Sequence, residues 1–299
     1  MNRPSLRASA LAAAGVALVA LLALSGRCQA SGAPPNAWAS HPLWDDGQAE
    51  INAYDAVETR YGKTRPYVDY QIVVKEPFSR RLLVKADPDH EPADVFPVLK
   101  LNHVIHYQTG IYAYHQMLSV FFDPQDMQPL KWTLTSFEWC GNTFKEFTRR
   151  DKQVRLATRT YWDGDADQEY DLPFDRDTVF YDQLPVWLRS QPLEPGAGRT
   201  LRVYPTQISS KAPRPQAAPA TITVAGREEI ALADGSRRSA ALVQVALGDG
   251  LHRLWFDAEF PHVLLGWERP DGGRGRLKWT RRLKYWELNQ PGDERWLTP

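Results

Sequence analysis

The feature that most constrains this chain is apolar alternation with a repeat of two. Val68, Tyr70, Ile72 and Val74 stand at alternate positions, as do Leu99, Leu101, His103, Ile105 and Tyr107. Successive side chains on a strand point to opposite faces, so each run places one row on one face of a sheet. Trp132 and Leu134 begin a further strand that runs to Cys140, and Val154, Leu156, Thr158 and Thr160 make another. Ala241, Val243, Val245 and Leu247 alternate, and so do Val263, Leu265 and Trp267. Between such runs lie Gln108-Thr109-Gly110, Asp234-Gly235, Gly248-Asp249-Gly250 and Pro270-Asp271-Gly272-Gly273, which read as turns. The pattern predicts a mainly β chain: a large curved antiparallel sheet or half-open barrel of ten or more strands.

Two stretches read as helices packed on that sheet. Ser40 can cap and Pro42 fits a first turn. Trp44, Ile51, Tyr54, Val57 and Tyr61 then fall at helical spacing before Gly62, which predicts a helix near 42–61. Phe180, Leu184, Trp187 and Leu188 predict a second near 177–190, limited by Pro185. Residues 211–220 hold three prolines and read as a loop separating two halves of one β-rich domain, 41–290. Residues 31–40 read as a flexible leader and 291–299 as a C-terminal tail.

The start of the chain reads as an export signal. Arg3 and Arg7 precede an uncharged apolar run over 8–24, and Cys28-Gln29-Ala30 gives a small-x-small cleavage pattern. Cleavage leaves 269 residues with 33 basic and 36 acidic side chains, a net of −3. That balance gives no reason to expect nucleic acid. It also leaves Cys140 alone, so packing rather than a disulfide must stabilise the fold. The reading is a soluble periplasmic bacterial protein with no transmembrane span after cleavage. Lipid attachment at Cys28 and retention by an uncleaved anchor are the alternatives; Arg27 interrupts the lipobox that the first would need.

Three segments carry a family likeness: His41-Pro42-Leu43-Trp44-Asp45-Asp46-Gly47, Gln108-Thr109-Gly110-Ile111-Tyr112 and Glu138-Trp139-Cys140-Gly141. They resemble a family of exported bacterial proteins sometimes labelled "septum formation inhibitor". The likeness covers most of the chain after the signal and implies an envelope location, without explaining any chemistry. The run from Thr221 to Asn289 is similar in architecture to the β domains of outer-membrane lipoprotein carriers. Cytoplasmic nucleotide pyrophosphatases share the label. Their N-terminal Arg-Arg motif has only a mid-chain echo here, Ser79-Arg80-Arg81-Leu82-Leu83, so their activity is not carried over.

Several residue groups suggest chemistry. If Thr109 centres the hairpin over 99–122, His103 faces His115, the start of a metal site or proton relay. Tyr112, Tyr114 and His106 then fall on the opposite face. Glu138, on one face with Trp132 and Leu134, suits a polar anchor in a ligand cavity, beside Trp139. Asp163-Gly164-Asp165-Ala166-Asp167 begins like a calcium loop, but Gln168 and Phe174 replace the required Gly and Glu, so it reads as a solvated turn. On the last strand Leu277, Trp279, Leu283 and Tyr285 share one face. Arg276, Lys278, Arg282 and Lys284 share the other, an arrangement able to meet anions.

No pattern asks for a cofactor or a metal. The resulting expectation is a non-enzymatic cell-envelope protein. It would bind lipid or another hydrophobic or amphipathic ligand in a concavity lined by aromatic residues, or support envelope assembly with protein partners. The rivals are a secreted hydrolase using Cys140 or the His103/His115 pair, and a purely structural or interaction protein of the envelope.

Overall fold

The computed structural model describes residues 36–298, so the export signal expected over 1–30 lies outside the described residues. Fifteen strands form one open sheet. A first meander consists of β1 (Ala49–Arg60), β2 (Lys63–Ser79), β3 (Val95–Thr109), β4 (Tyr112–Phe122), β5 (Pro129–Glu138), β6 (Gly141–Arg150), β7 (Gln153–Thr160) and β8 (Gln168–Pro173). A second consists of β9 (Thr178–Phe180), β10 (Gly198–Tyr204), β11 (Ala218–Ala231), β12 (Arg237–Leu247), β13 (Gly250–Asp257), β14 (Leu264–Glu268) and β15 (Arg274–Leu283). The spatial order is β8-β7-β6-β5-β4-β3-β2-β1-β15-β14-β13-β12-β11-β10-β9, so the first and last strands of the chain pair at the middle. All neighbours run antiparallel except β9 and β10.

The edges β8 and β9 do not pair. Instead Tyr204 donates its hydroxyl to the Pro173 carbonyl at 2.8 Å, and Arg202 pairs with Asp175 at 2.6 Å. The predicted mainly β, curved antiparallel architecture is therefore what the chain adopts. Its inner face holds one continuous core drawn from both meanders. At its centre Trp132 stacks on Phe147 at 3.8 Å between ring centroids, and Phe180 of β9 meets both edge-on.

The helix predicted near 42–61 is absent. Pro42–Asp45 forms a single 3-10 turn, and Ala49–Arg60 is strand β1. The residues from Ala49 to Tyr54 are all buried, because β1 is covered on both faces. Such a strand shows no alternation, and the spacing of Trp44, Ile51, Tyr54 and Val57 imitates a helix. The predicted 177–190 helix shrinks to one turn, α1 (Leu184–Trp187), between 3-10 turns, with Pro185 at its start. This segment tucks inside the sheet. Its Arg189 makes a two-point ion pair with Glu50 of β1 at 2.7 and 2.8 Å, both side chains buried. Burial alone would raise the Glu50 carboxyl, but the Arg189 charge and hydrogen bonds hold it below its usual value.

Residues 36–40, read as part of a flexible leader, are tied down. Trp38 is buried and donates its indole N–H to the Pro261 carbonyl, and Ala39 is fully buried. The proline-rich stretch 211–220 falls within the second meander. It lies between β10 and β11, and Ala218 already belongs to β11. No helix of the described residues is long and apolar enough to cross a membrane.

Candidate functional site

The inner face changes character along the strands. One row across it, Val73, Leu101, Val120, Trp132, Phe147 and Leu156, is wholly apolar. The next row, Gln71, His103, Leu118, Leu134, Lys145 and Thr158, is polar at four of its six positions. Beyond it lie Gln116, Ser136 and Thr143, then the stacked pair Tyr107 and Tyr114 at 5.1 Å. A cavity of about 140 Å³ opens over these polar rows. Ile105, Tyr67 and Tyr107 form part of its sheet wall, while Tyr181, Asp182, Pro185 and Ile208 close it from the inserted segments. Trp267 of β14 completes the wall. Its indole lies across Gly275, where a Cβ would come within 2.3 Å of the ring, so only glycine permits that placement.

Charges on the wall are arranged in pairs. His103 Nε2 lies 2.6 Å from Asp69 Oδ2. Tyr67 and Gln71 each donate to the same carboxylate at 3.4 Å. Burial pulls the His103 pKa down, but the Asp69 charge and hydrogen bond prevail and raise it. Arg269 holds Glu58 at 2.8 and 2.9 Å and reaches Asp271 at 3.2 Å. Behind the wall, Lys145 donates to the Gln207 carbonyl at 2.8 Å, and Gln207 N–H donates to Asp182 at 2.7 Å. Burial pushes Lys145 down to about 8 and raises the Asp182 carboxyl. Polar groups that convergent, placed beside apolar and aromatic surface, are the make-up of a small-ligand site.

The sequence-derived site residues divide. His103 lies on the cavity wall; His115 lies on the outer face. The hairpin turn is Gly110-Ile111, with Gly110 at φ 70°, and Thr109 pairs with Tyr112. Centring the turn on Thr109 misplaces the register by an odd number of residues, which exchanges the faces of one strand. His115 therefore opposes His106, with rings 3.9 Å apart, and stacks on Phe137 at 4.5 Å. No His103/His115 site exists. By the same shift Tyr112 and Tyr114 stand on the inner face, with His103.

Glu138 does share that face and is buried beneath the tyrosines, and neither of its carboxylate oxygens has a partner among the described residues. Above it, Tyr61 and Tyr114 hydroxyls lie 2.8 Å apart, and Arg60 donates to Tyr114 at 3.0 Å. Trp139 is exposed at the turn, 6.4 Å from the Tyr112 ring. Cys140 is exposed beside it.

The anion-binding face on the last strand is not formed. A bulge between Ala53 and Tyr54 of β1 skips Lys278. Leu277 therefore joins the inner core, while Trp279 and Leu283 cover the outer face. Each cation has a carboxylate: Arg276 meets Glu268, Lys278 meets Asp55 at 3.1 Å, Arg282 meets Asp46 and Lys284 meets Glu287 at 3.5 Å. The acidic run is used structurally, with Asp165 accepting from Ala212 N–H at 2.9 Å.

Sequence reasoning missed Asp69, Gln71, Gln116, Asp182 and Arg269. On β2 the regular alternation of Val68, Tyr70, Ile72 and Val74 marks the outer face, where Val74 packs into a small cluster with Trp279 and Tyr285 close by. The polar positions between them face the cavity. The available signal was Asp69 and Gln71 themselves, two polar residues at alternate positions in a strand at the middle of the sheet.

No protein-family model matches this sequence, and no curated protein matches it at a significant level. Among solved structures, a DUF1089 family protein from Pseudomonas aeruginosa is similar over 64% of this chain and 87% of its own, at 11% identity and a TM-score of 0.36.

Proposed function

We propose that this chain is exported by residues 1–30 and acts in the cell envelope as a non-enzymatic binding protein for a small amphipathic ligand. The cavity carries this reading. It sets Trp267, Ile105 and Leu254 against Asp69, His103 and Arg269 within one wall, so a ligand with one apolar and one polar end has partners for both. Its size limits the ligand. A cavity of about 150 Å³ accommodates a benzene-sized ring, so a ring or short chain with a polar group fits the 140 Å³ here, and a whole phospholipid does not. The motif likeness to exported bacterial proteins labelled "septum formation inhibitor" supports the envelope location and supplies no activity.

The test is a filled cavity. Ile105→Trp should abolish the thermal shift that ring-sized amphiphiles such as phenolic amines or alkylphenols give to the native protein. Equal shifts in both proteins would overturn the reading. A second reading, a hydrolase with His103 as general base, is favoured by one observation: Asp69 holds the imidazole at 2.6 Å on a cavity wall. Ester hydrolysis lost in His103→Gln would select it.

A further inference from the structure

We infer that the rim of hairpin tips at one end of the first meander docks this protein on an anionic phospholipid surface. In a meander every second turn lies at the same end. The turns β1–β2, β3–β4, β5–β6 and β7–β8 therefore lie side by side. Each carries one large residue that stays in solvent: Tyr61 63% exposed, Ile111 80%, Trp139 75% and Tyr161 66%. One such residue alone would be ordinary, but four at the same end of one meander make a shared apolar patch, the kind of surface that marks an interaction site.

The tips form one surface. Tyr61 and Gly62, at φ 54° and 65°, make a tight turn that leaves the Tyr61 ring outward. The Tyr112 hydroxyl reaches the Tyr61 hydroxyl at 3.4 Å. Tyr161 lies directly over Gly141, where a Cβ would come within 2.5 Å of its ring. Phe137 and Phe144 extend the apolar surface onto the outer face below.

Charge and spacing select the occupant. Arg60, Lys63 and Arg65 flank the Tyr61 tip, and none has a carboxylate partner among the described residues; Arg60 is held over the Tyr61 ring at 5.0 Å instead. These three cations without a carboxylate partner sit at the Tyr61 end of the rim and match an anionic surface. The far, β7–β8 tip carries Asp163, Asp165 and Asp167, with Asp165 tied to Ala212 N–H and Asp167 3.7 Å from Arg159. The Tyr61, Ile111 and Trp139 tips are therefore the ones that enter the layer. Tips two strands apart stand about 10 Å from each other, which suits separate points entering a fluid layer. A protein partner would instead need a closely fitted face of roughly 800 Å². Trp and Tyr, apolar with a polar handle, settle at the headgroup level. The rim goes beyond the cavity reading and does not depend on it.

Cys140, exposed next to Trp139, provides the probe. In a chain starting at Ser31 it is the sole cysteine, and the apolar run 8–24, which would bind vesicles by itself, is gone. The sheet remains whole, since the described residues all belong to one compact unit. A polarity-sensitive fluorophore on Cys140 should shift to the blue with vesicles of phosphatidylglycerol, less with phosphatidylcholine, and less again at high salt. Ile111→Ser with Trp139→Ser should weaken sedimentation with phosphatidylglycerol vesicles at least tenfold, whereas Trp286→Ser should not. An unshifted fluorophore, or vesicle binding indifferent to the double substitution, overturns the proposal. So does concentration-dependent self-association removed by the same substitutions, which would make the rim a contact between copies.

Discussion

At one end of the inner face Trp132, Phe147, Leu156 and Val120 interlock. At the other end of the same face, Gln116 and Ser136 of β4 and β5 join Asp69 and His103 of β2 and β3 in place of rings. Both ends follow the same alternation and the same ladder. What differs is only which side chains the inward positions carry, and that difference turns a packed core into a cavity wall. The apolar end gains stability from close packing. The polar end spends it, because each buried polar group there must be met by another. Gln116 donates to Ser136 at 3.0 Å, and the Thr143 and Thr160 hydroxyls lie 2.8 Å apart, so polar groups of these rows meet one another and still leave space.

Single substitutions can break that comparison. The largest effect should come from Trp132→Ala, which removes a fully buried ring stacked on Phe147 and should cost about 3–5 kcal/mol in urea unfolding. Gln116→Leu at the polar end should cost about 1–3 kcal/mol, the penalty of leaving the buried Ser136 hydroxyl without its donor. Equal losses at both sites would mean that the polar end is packed core after all.

A smaller, pH-dependent effect should come from the His103–Asp69 pair. Its folded pKa is raised, so the folded state binds the proton more tightly than the unfolded chain does. The stability this adds is fully present below the unfolded value of about 6.5 and is lost as pH rises through the folded value. The unfolding midpoint of the native protein should therefore fall over that window relative to His103→Gln, and parallel curves would show that the pair is not linked to folding. Least affected should be Lys278→Ala. Its pairing with Asp55 is largely in solvent, and the change should stay within about 0.5 kcal/mol.

Much of the sheet was legible in the sequence, because strands with one covered face announce themselves by alternation. The strands through Leu99–Tyr107, Trp132–Leu134 and Val154–Thr160 were all read from that signal. β1 was not, since burial on both faces erases the alternation that identifies a strand. The hairpin register failed on the choice of turn residues, and one odd shift moved His115 to the wrong face. Glu138 was read on one face with Trp132 and Leu134, where it lies, whereas Tyr112 and Tyr114 were read on the face opposite His103 and stand on the same one. Asp69, Asp182 and Arg269 come from three distant stretches of chain. Only the curling of the sheet around the 181–190 segment brings them together, and no local pattern encodes that.

The central claim is that the polar end of the inner face is a ligand cavity. Native mass spectrometry of the protein recovered from its own cells tests it most directly. The account predicts a bound small molecule on the native chain that is absent from Ile105→Trp. A clean unbound mass for both, with Ile105→Trp the more stable protein, would contradict it and make the cavity a packing defect.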